Sequence, residues 1–116
     1  MEGEDKDCIF CKIVKKEAPA QIVLENNTLL VIKNIKPVAD VHLLVIPKVH
    51  IESFDGLDIT NDGQIFLEMV KAVQTVVKST GIGGGYKLIF NGGKYLKVNH
   101  LHWHLLGGEM LGGSEI

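Results

Sequence analysis

The chain has 116 residues, of which 46% are hydrophobic and 22% charged, and its formal net charge at pH 7 is −2. This length suits one domain, which can bury roughly two-thirds of the surface of the unfolded chain. The slightly negative charge gives no reason to expect nucleic acid or an anionic membrane as a partner. No apolar run approaches the roughly 18 residues of a membrane span.

The N-terminus is acidic and polar over residues 1–7, the opposite of a secretory signal sequence. We therefore expect a cytoplasmic protein with a single domain over 1–116 and a disordered tail over 1–7. All 12 basic residues are lysines, since the chain contains no arginine. A bound phosphate would be held by backbone N–H groups, histidine, hydroxyls or lysine, without a guanidinium fork.

The first half of the chain predicts a short helix followed by strands. The helical stretch covers residues 8–16. Apolar runs at 22–25 and 29–33 flank Asn26 and Asn27, a turn signal that predicts a β-hairpin. The next strand is predicted over 41–46 and ends at Pro47.

One long helix is predicted over 61–79, with Asn61 and Gln64 as a capping box and Gly81 at its C-terminal end. Its apolar residues recur at spacings near 3.6; they are Ile65, Phe66, Met69, Val70, Val73, Val76 and Val77. Two more strands are predicted over 86–91 and 100–106. Neighbouring strands joined by short loops predict an α+β fold with an antiparallel sheet of about five strands and a helix on one face.

Two glycine-rich segments invite a phosphate-loop interpretation. The run 81–85 fails it, because the chain goes from helix to strand there and has Tyr86 where a third glycine would be needed. Asn91, Gly92 and Gly93 lead toward the last strand, and consecutive glycines can turn N–H groups toward an anion. An ordinary turn is the alternative for that segment.

The most informative pattern is His-Leu-His-Trp-His over residues 100–104. Alternation at period 2 is typical of a strand, with His100, His102 and His104 on one face and the apolar residues on the other. Neighbouring histidines would lie roughly 7 Å apart, so all three can hardly bind one metal ion. Such a row suits an elongated substrate, with one imidazole as nucleophile and its neighbours binding charge and moving protons. Structural histidines in a core are the alternative.

Cys8 and Cys11 have the Cys-x-x-Cys spacing of zinc ligands, although one such pair is only half of a site. Two small buried hydrophobic residues or a redox pair are the alternatives, and no other feature suggests a thioredoxin-like fold.

Taken together, these motifs resemble the histidine triad (HIT) family of nucleotide hydrolases and transferases. The signature is His-φ-His-φ-His-φ-φ, with φ apolar, at 100–106. The blocks at 8–13 and 16–20, 41–50 and 106–108 also resemble the family, so the likeness extends over residues 8–108. Since His104 is kept where uridylyltransferases have glutamine, the chain is most similar to the Hint branch, the purine nucleoside phosphoramidases.

The resemblance implies a role for each histidine. His102 would attack the α-phosphate and form a nucleotidyl-histidine that water then cleaves, releasing the nucleoside monophosphate. His104 would contact the phosphate and assist the leaving group, while His100 and His42 would orient the site. For His42, a structural core histidine is the alternative.

The resemblance also implies a purine pocket, lined by Ile9, Phe10, Ile13, Ile32 and Ile35. Asn34 stands where the family has an aspartate that binds the ribose hydroxyls, which predicts weaker ribose selection. Lys97 replaces a hydroxyl near the leaving group, and the loop just before the triad is shorter than in the family. Asn91 is a candidate phosphate contact.

Metal-bearing members of the family imply a structural zinc held by Cys8, Cys11, His50 and His100, with no organic cofactor expected. The family further implies a homodimer formed through the long helix and the strand at 86–91. Three functions remain open at this point. The first is a phosphoramidase or, as a variant, a dinucleoside polyphosphate hydrolase. The second is a zinc hydrolase, and the third is a nucleotide-binding or scaffold module with little activity.

Overall fold

The structure is a computed structural model that describes residues 7–111. The predicted disordered tail therefore lies outside the described residues except for Asp7, an exposed turn residue. The two helices are α1 (Ile9–Val14) and α2 (Ile59–Thr80), and the five strands are β1 (Ile22–Glu25), β2 (Leu29–Lys33), β3 (Ala39–Pro47), β4 (Tyr86–Ile89) and β5 (Trp103–Met110). Two short 3-10 turns cover Phe54–Gly56 and Gly93–Tyr95.

The five strands form one antiparallel sheet in the order β1-β2-β3-β5-β4. The hairpin predicted around Asn26 is confirmed, since the side-chain oxygen of Asn26 accepts from the N–H groups of Thr28 and Leu29 in the turn. The prediction of an α+β fold with a five-stranded antiparallel sheet, one long helix and one short helix is also confirmed.

The sheet separates two apolar clusters. On one face, α2 packs against the alternate residues of the central strands, and the shared core includes Met69, Val73, Leu43, Trp103 and Leu105. On the other face, α1 packs against Leu30, Ile32, Leu44 and Ile46. Among residues 7–111, no helix has both the length and the apolar character needed to cross a membrane.

Helix α2 begins two residues earlier than predicted, and the predicted capping box of Asn61 and Gln64 is wrong. Asp58 is the N-cap, because its carboxylate accepts from the N–H groups of Thr60 and Asn61. The Asp62 carboxylate accepts in turn from the Asp58 N–H at 3.0 Å. The C-terminal prediction is confirmed, since Gly81 ends the helix with φ of 75° in the left-handed region.

Strand β5 begins at Trp103, so the prediction that His100 starts the strand is wrong. The backbone before Trp103 bonds elsewhere: the His100 N–H donates to the Val98 carbonyl and the Leu101 N–H to the Ile51 carbonyl. The neighbouring strand β3 ends at Pro47, which has no N–H to extend a ladder. Helix α1 and strand β4 are shorter than predicted, and β3 is longer.

Candidate active site and metal centre

The histidines gather on the α1 face of the sheet, where β3 and β5 lie side by side. His104 on β5 is opposite Leu44 on β3, and His42 is two residues before Leu44, so both imidazoles project from the same face. The chain before β5 keeps the alternation of faces although it is not paired as a strand. Phe10 of α1 meets the rings of His100 and His102 edge-on, while Leu101 and Trp103 pack in the α2 core.

His102 is held in one tautomer by the backbone. Its Nδ1 lies 2.8 Å from the His100 carbonyl oxygen, and because a carbonyl can only accept, Nδ1 carries the proton. In the neutral ring the lone pair is then on Nε2. Burial lowers the pKa of His102, an effect that the hydrogen bond to the carbonyl partly opposes. At neutral pH the side chain is therefore an uncharged imidazole with a free electron pair, which is the form required of a nucleophile.

His42 donates a hydrogen bond to His104. The Val38 N–H donates to His42 Nδ1 at 3.1 Å, so the proton of neutral His42 is on Nε2. That nitrogen lies 2.9 Å from His104 Nδ1, which must accept, leaving the His104 proton on Nε2. Burial, together with the nearby His102 and His42, lowers the pKa of His104 to about 4. Burial also lowers the pKa of His42.

His100 contributes both to the orientation of His102 and to the cluster around Cys8. Its carbonyl orients His102, and its imidazole Nε2 donates to the Pro47 carbonyl at 2.8 Å. The lone pair is consequently on Nδ1, which lies 3.2 Å from Cys8 Sγ. The side chain is fully buried, and burial lowers its pKa to about 4. A deprotonated imidazole is the form that binds metals.

The ligand atoms of Cys8, Cys11, His50 and His100 lie within 4.8 Å of one another. Cys11 Sγ is 3.2 Å from His50 Nδ1, and the two Nδ1 atoms are 3.1 Å apart. Ligands that share one tetrahedral zinc lie roughly 3.3–3.8 Å apart, given Zn–N of about 2.0–2.1 Å and Zn–S of about 2.3 Å. The donor set fits a Cys₂His₂ site, and the contacts of 3.1 to 3.6 Å among Cys8, Cys11, His50 and His100 are close to this range. The four predicted ligands therefore converge.

The residues predicted to line a purine pocket do not share one environment. Phe10, Ile13 and Ile32 are buried in the α1 core cluster. Ile9 and Ile35 are 45% and 90% exposed. Ile13 also lines a cavity of ≈ 390 Å³ together with Ala18, Pro19, Ala20 and Ile22. Three of the five residues are therefore core residues of the α1 face, and the other two are exposed.

The remaining predicted contacts lie in loops of the chain, outside its helices and strands. Asn34 is half-buried beside His42, with Nδ2 at 3.1 Å from His42 Nε2. Asn91 follows β4, whose last residue, Ile89, is opposite His104, so Asn91 lies in the chain that runs past the histidines. Lys97 is exposed and lines a cavity of ≈ 260 Å³ with Cys8, Ile9 and Asn99.

Three backbone groups at the site were missed by reasoning from the sequence: the Val38 N–H, the Pro47 carbonyl and the His100 carbonyl. Each determines a histidine tautomer. No sequence signal marks such a role, since every residue has a carbonyl and nearly every residue has an N–H.

Comparison with known proteins agrees with this geometry. A family profile described as "Scavenger mRNA decapping enzyme C-term binding" matches residues 7–115. Protein HitA of Neisseria gonorrhoeae is 41% identical over 103 residues, which cover 87% of this chain and 95% of that protein. A 14 kDa zinc-binding protein of Zea mays is 35% identical over 112 residues, covering 93% of this chain and 87% of that one.

Among solved structures, a HIT family hydrolase from Clostridium thermocellum superposes with a TM-score of 0.85 at 41% identity. The match covers 97% of this chain and 99% of the other. Sequence and fold therefore agree over nearly the full length, and the chain belongs to the histidine triad (HIT) family, whose hydrolases it resembles.

Proposed function

We propose that this protein is a Hint-type nucleotide hydrolase that cleaves the P–N bond of purine nucleoside 5′-phosphoramidates through a nucleotidyl-histidine at His102. The observation that carries the proposal is the 2.8 Å contact between His102 Nδ1 and the His100 carbonyl. It leaves the lone pair on Nε2 of a neutral ring, ready to attack phosphorus. The similarity to HIT family hydrolases supports a hydrolase of this kind.

The reaction has two steps. His102 Nε2 forms a bond to the α-phosphorus while the P–N bond breaks, and the electron pair of that bond stays on the leaving nitrogen. The nitrogen departs as the amine after taking up one proton from the solvent. Water then attacks phosphorus, the electron pair of the N–P bond returns to His102, and one proton is released to the solvent. The products are the amine and the nucleoside monophosphate.

His104 assists both steps without becoming charged. Its pKa of about 4 keeps the ring neutral at pH 7, and its Nε2–H is the hydrogen-bond donor available to a phosphoryl oxygen or to the leaving group. His42 holds that orientation through the contact at 2.9 Å. On α1, the exposed side chain of Ile9, next to the buried Phe10, offers apolar surface for the purine.

Cys8, Cys11, His50 and His100 are the ligands of a structural zinc in this proposal. When bound, the metal would crosslink α1 to the ends of β3 and β5, with no part in the bond changes. The zinc-binding relative supports this assignment, as does the spacing of the four ligand atoms.

The test is turnover of adenosine 5′-phosphoramidate by the wild type and by His102→Ala, each with and without chelator. We expect AMP release by the wild type, little effect of the chelator during the assay, and a loss of roughly 10³-fold or more in the variant. Acid quenching followed by mass spectrometry should trap a nucleotidyl adduct on His102.

Each alternative function has its own outcome in this experiment. Loss of activity with chelator and no adduct would identify a zinc hydrolase. AMP binding without turnover would identify a binding module. Faster cleavage of a diadenosine polyphosphate than of the phosphoramidate would assign the dinucleotide as the substrate.

A homodimer completes the proposal. Strand β4 is at the edge of the sheet and pairs only with β5 among the described strands, and Tyr86 and Leu88 on it are 52% and 43% exposed. An exposed apolar edge strand is suited to pairing with a second copy. Light scattering should give the mass of two chains. Leu88→Lys should shift it to one, whereas Lys87→Glu, a charge change on the same strand, should matter less.

A further inference from the structure

Asn34 is placed so that its amide cannot accept a hydrogen bond from His42. The Lys36 N–H lies 2.9 Å from Asn34 Oδ1, and a backbone N–H can only donate, so the oxygen faces Lys36 and the NH₂ group faces His42. The Asn34 N–H also donates to the His42 carbonyl at 3.0 Å. The residue is therefore fixed to His42 at its backbone and oriented at its side chain.

His42 in turn presents a donor toward Asn34. Its Nδ1 accepts from the Val38 N–H, so a neutral ring has its proton on Nε2, the atom 3.1 Å from Asn34 Nδ2. Two donors face each other there, and that contact is not a hydrogen bond. His104 Nδ1, at 2.9 Å, is the acceptor that remains for the His42 proton.

We infer that position 34 determines the direction of the His42–His104 hydrogen bond by presenting no acceptor to His42. The Lys36 N–H turns the Asn34 amide, so that among the described residues His104 Nδ1 is the acceptor for the His42 proton, and the His104 proton stays on Nε2. The inference deepens the proposed function and rests on it for its catalytic meaning, because an Nε2–H on His104 is the donor that the phosphoryl group would use. The arrangement of protons itself is independent of any substrate.

A carboxylate at position 34 would have the opposite effect. It would accept the His42 Nε2–H, compete with His104 for it, and stabilise a positively charged His42. His104 Nδ1 would then lack a steady donor, and both His104 tautomers would be populated. Whether residue 34 presents an oxygen or a nitrogen to His42 thus determines the direction of the His42–His104 hydrogen bond.

The titratable groups that act on this pair are few. Among the described residues, His104 on β5 faces His42, and His102 lies beyond it with its ring centroid 5.1 Å from that of His104. Desolvation is the cause of the lowered pKa of His42. A new carboxylate at position 34 would therefore be the dominant charge acting on His42.

The experiment is 15N NMR of histidine-labelled protein between pH 5 and 8, for the wild type, Asn34→Asp, Asn34→Ala and the control Asn27→Asp. The control adds the same charge in the exposed β1–β2 turn. His104→Gln and His42→Gln assign the signals. In the wild type we expect His104 with a bare Nδ1 and a protonated Nε2 throughout, and the control should match it.

Asn34→Asp should raise the pKa of His42 by about 1–3 units, the usual effect of an adjacent opposite charge, and should mix the His104 tautomers. Asn34→Ala, which adds no acceptor, should keep the wild-type tautomer. The inference is overturned if wild-type His104 carries its proton on Nδ1, if Asn34→Asp leaves both histidines unchanged, or if Asn34→Ala loses the tautomer as fully as Asn34→Asp does.

Turnover of adenosine 5′-phosphoramidate separates this inference from the proposed function. In Asn34→Asp the acid limb of the pH profile should move upward by the same amount as the pKa of His42. A wild type that shows the expected tautomers but no turnover would remove the proposed function and leave the inference standing. Turnover by a wild type whose His104 carries its proton on Nδ1 would overturn the inference and leave the proposed function standing.

Discussion

Backbone groups determine the chemistry of three histidines. His42 accepts from the Val38 N–H, His100 donates to the Pro47 carbonyl and His102 donates to the His100 carbonyl. Each bond specifies which ring nitrogen keeps a lone pair. A substitution can remove one of these imidazoles, but it cannot easily reverse its tautomer, because the partner is part of the fold.

His104 should make the stability of the protein depend on pH. Its pKa is 6.5 in an unperturbed chain and about 4 in the folded protein, so between these values the unfolded state binds more protons. The free energy of unfolding therefore rises from pH 4 to pH 6.5 and is level above that. After allowance for solvent screening, the contribution is on the order of 2 kcal/mol.

Urea unfolding of the wild type and of His104→Gln at a series of pH values, with chelator present throughout, measures this contribution. The difference in unfolding free energy between the two proteins should change across this pH window and stay constant above it. Parallel curves for the two proteins would show that His104 titrates normally in the folded state.

At the scale of elements, α2 depends on Asp58. Its carboxylate accepts from the N–H groups of Thr60 and Asn61 in the first turn, so Asp58→Ala should lower the free energy of unfolding by about 1 kcal/mol. Asp58→Asn is the matched control, since asparagine caps nearly as well and should cost only a fraction of this. Chemical denaturation of both variants measures the difference, and an equal loss in the two would assign the effect to charge.

Strand β5 packs at Gly107 against Ile82, which follows the C-cap of α2. A Cβ atom at this position would lie 2.6 Å from the Ile82 side chain. Gly107→Ala should therefore destabilise the fold by about 1–3 kcal/mol, as overpacking does. Gly84→Ala is the control, because a Cβ there meets nothing within 4 Å. Thermal unfolding of both variants should lower Tm in the first and leave it nearly unchanged in the second.

The elements that the sequence predicted well are those whose pattern is local. The periodicity of α2, the stop at Gly81 and the turn at Asn26 each depend on a few neighbouring residues. The cap of α2 was misplaced because Asp58, Asn61 and Asp62 are all good capping residues, and only the backbone conformation selects one of them. The start of β5 was misplaced because Leu101 bonds to Ile51, a contact across 50 positions that no local pattern contains.

The site shows the same limit. Cysteine spacing indicated half of a metal site, and the resemblance to the family implied the other two ligands and a place for His42 in the site. The four metal ligands do converge, and His42 lies beside His104. The spacing could not indicate that Asn34 turns its amide toward His42. That orientation depends on the Lys36 N–H, a backbone group that has no signature in the sequence.

At the scale of the molecule, the metal-ligand cluster connects α1 to the sheet. Cys8 and Cys11 come from α1 and its cap, His50 follows β3, and His100 precedes β5. A ligand present at 100 times its Kd stabilises the folded state by about 2.7 kcal/mol. Prolonged chelation should thus lower the Tm of the wild type by roughly 10 °C or more.

Differential scanning calorimetry with and without chelator measures this shift. Cys11→Ser is the matched control, since it should begin at the lower Tm and respond little to the chelator. Restoring the wild-type Tm with zinc but not with magnesium would identify a soft-ligand site. An unchanged Tm in the chelated wild type would rule out a structural metal.

The alternation of faces before and along β5 has a consequence for how this sequence can vary in length. His102 and His104 face α1, while Leu101, Trp103 and Leu105 face α2. One inserted or deleted residue here would exchange the two sets, placing imidazoles under the long helix and leucines among the histidines. An insertion or deletion here would therefore disturb the active-site histidines and the packing of the core together. Changes in length are tolerable only before this alternation begins, as in the exposed loop after β4.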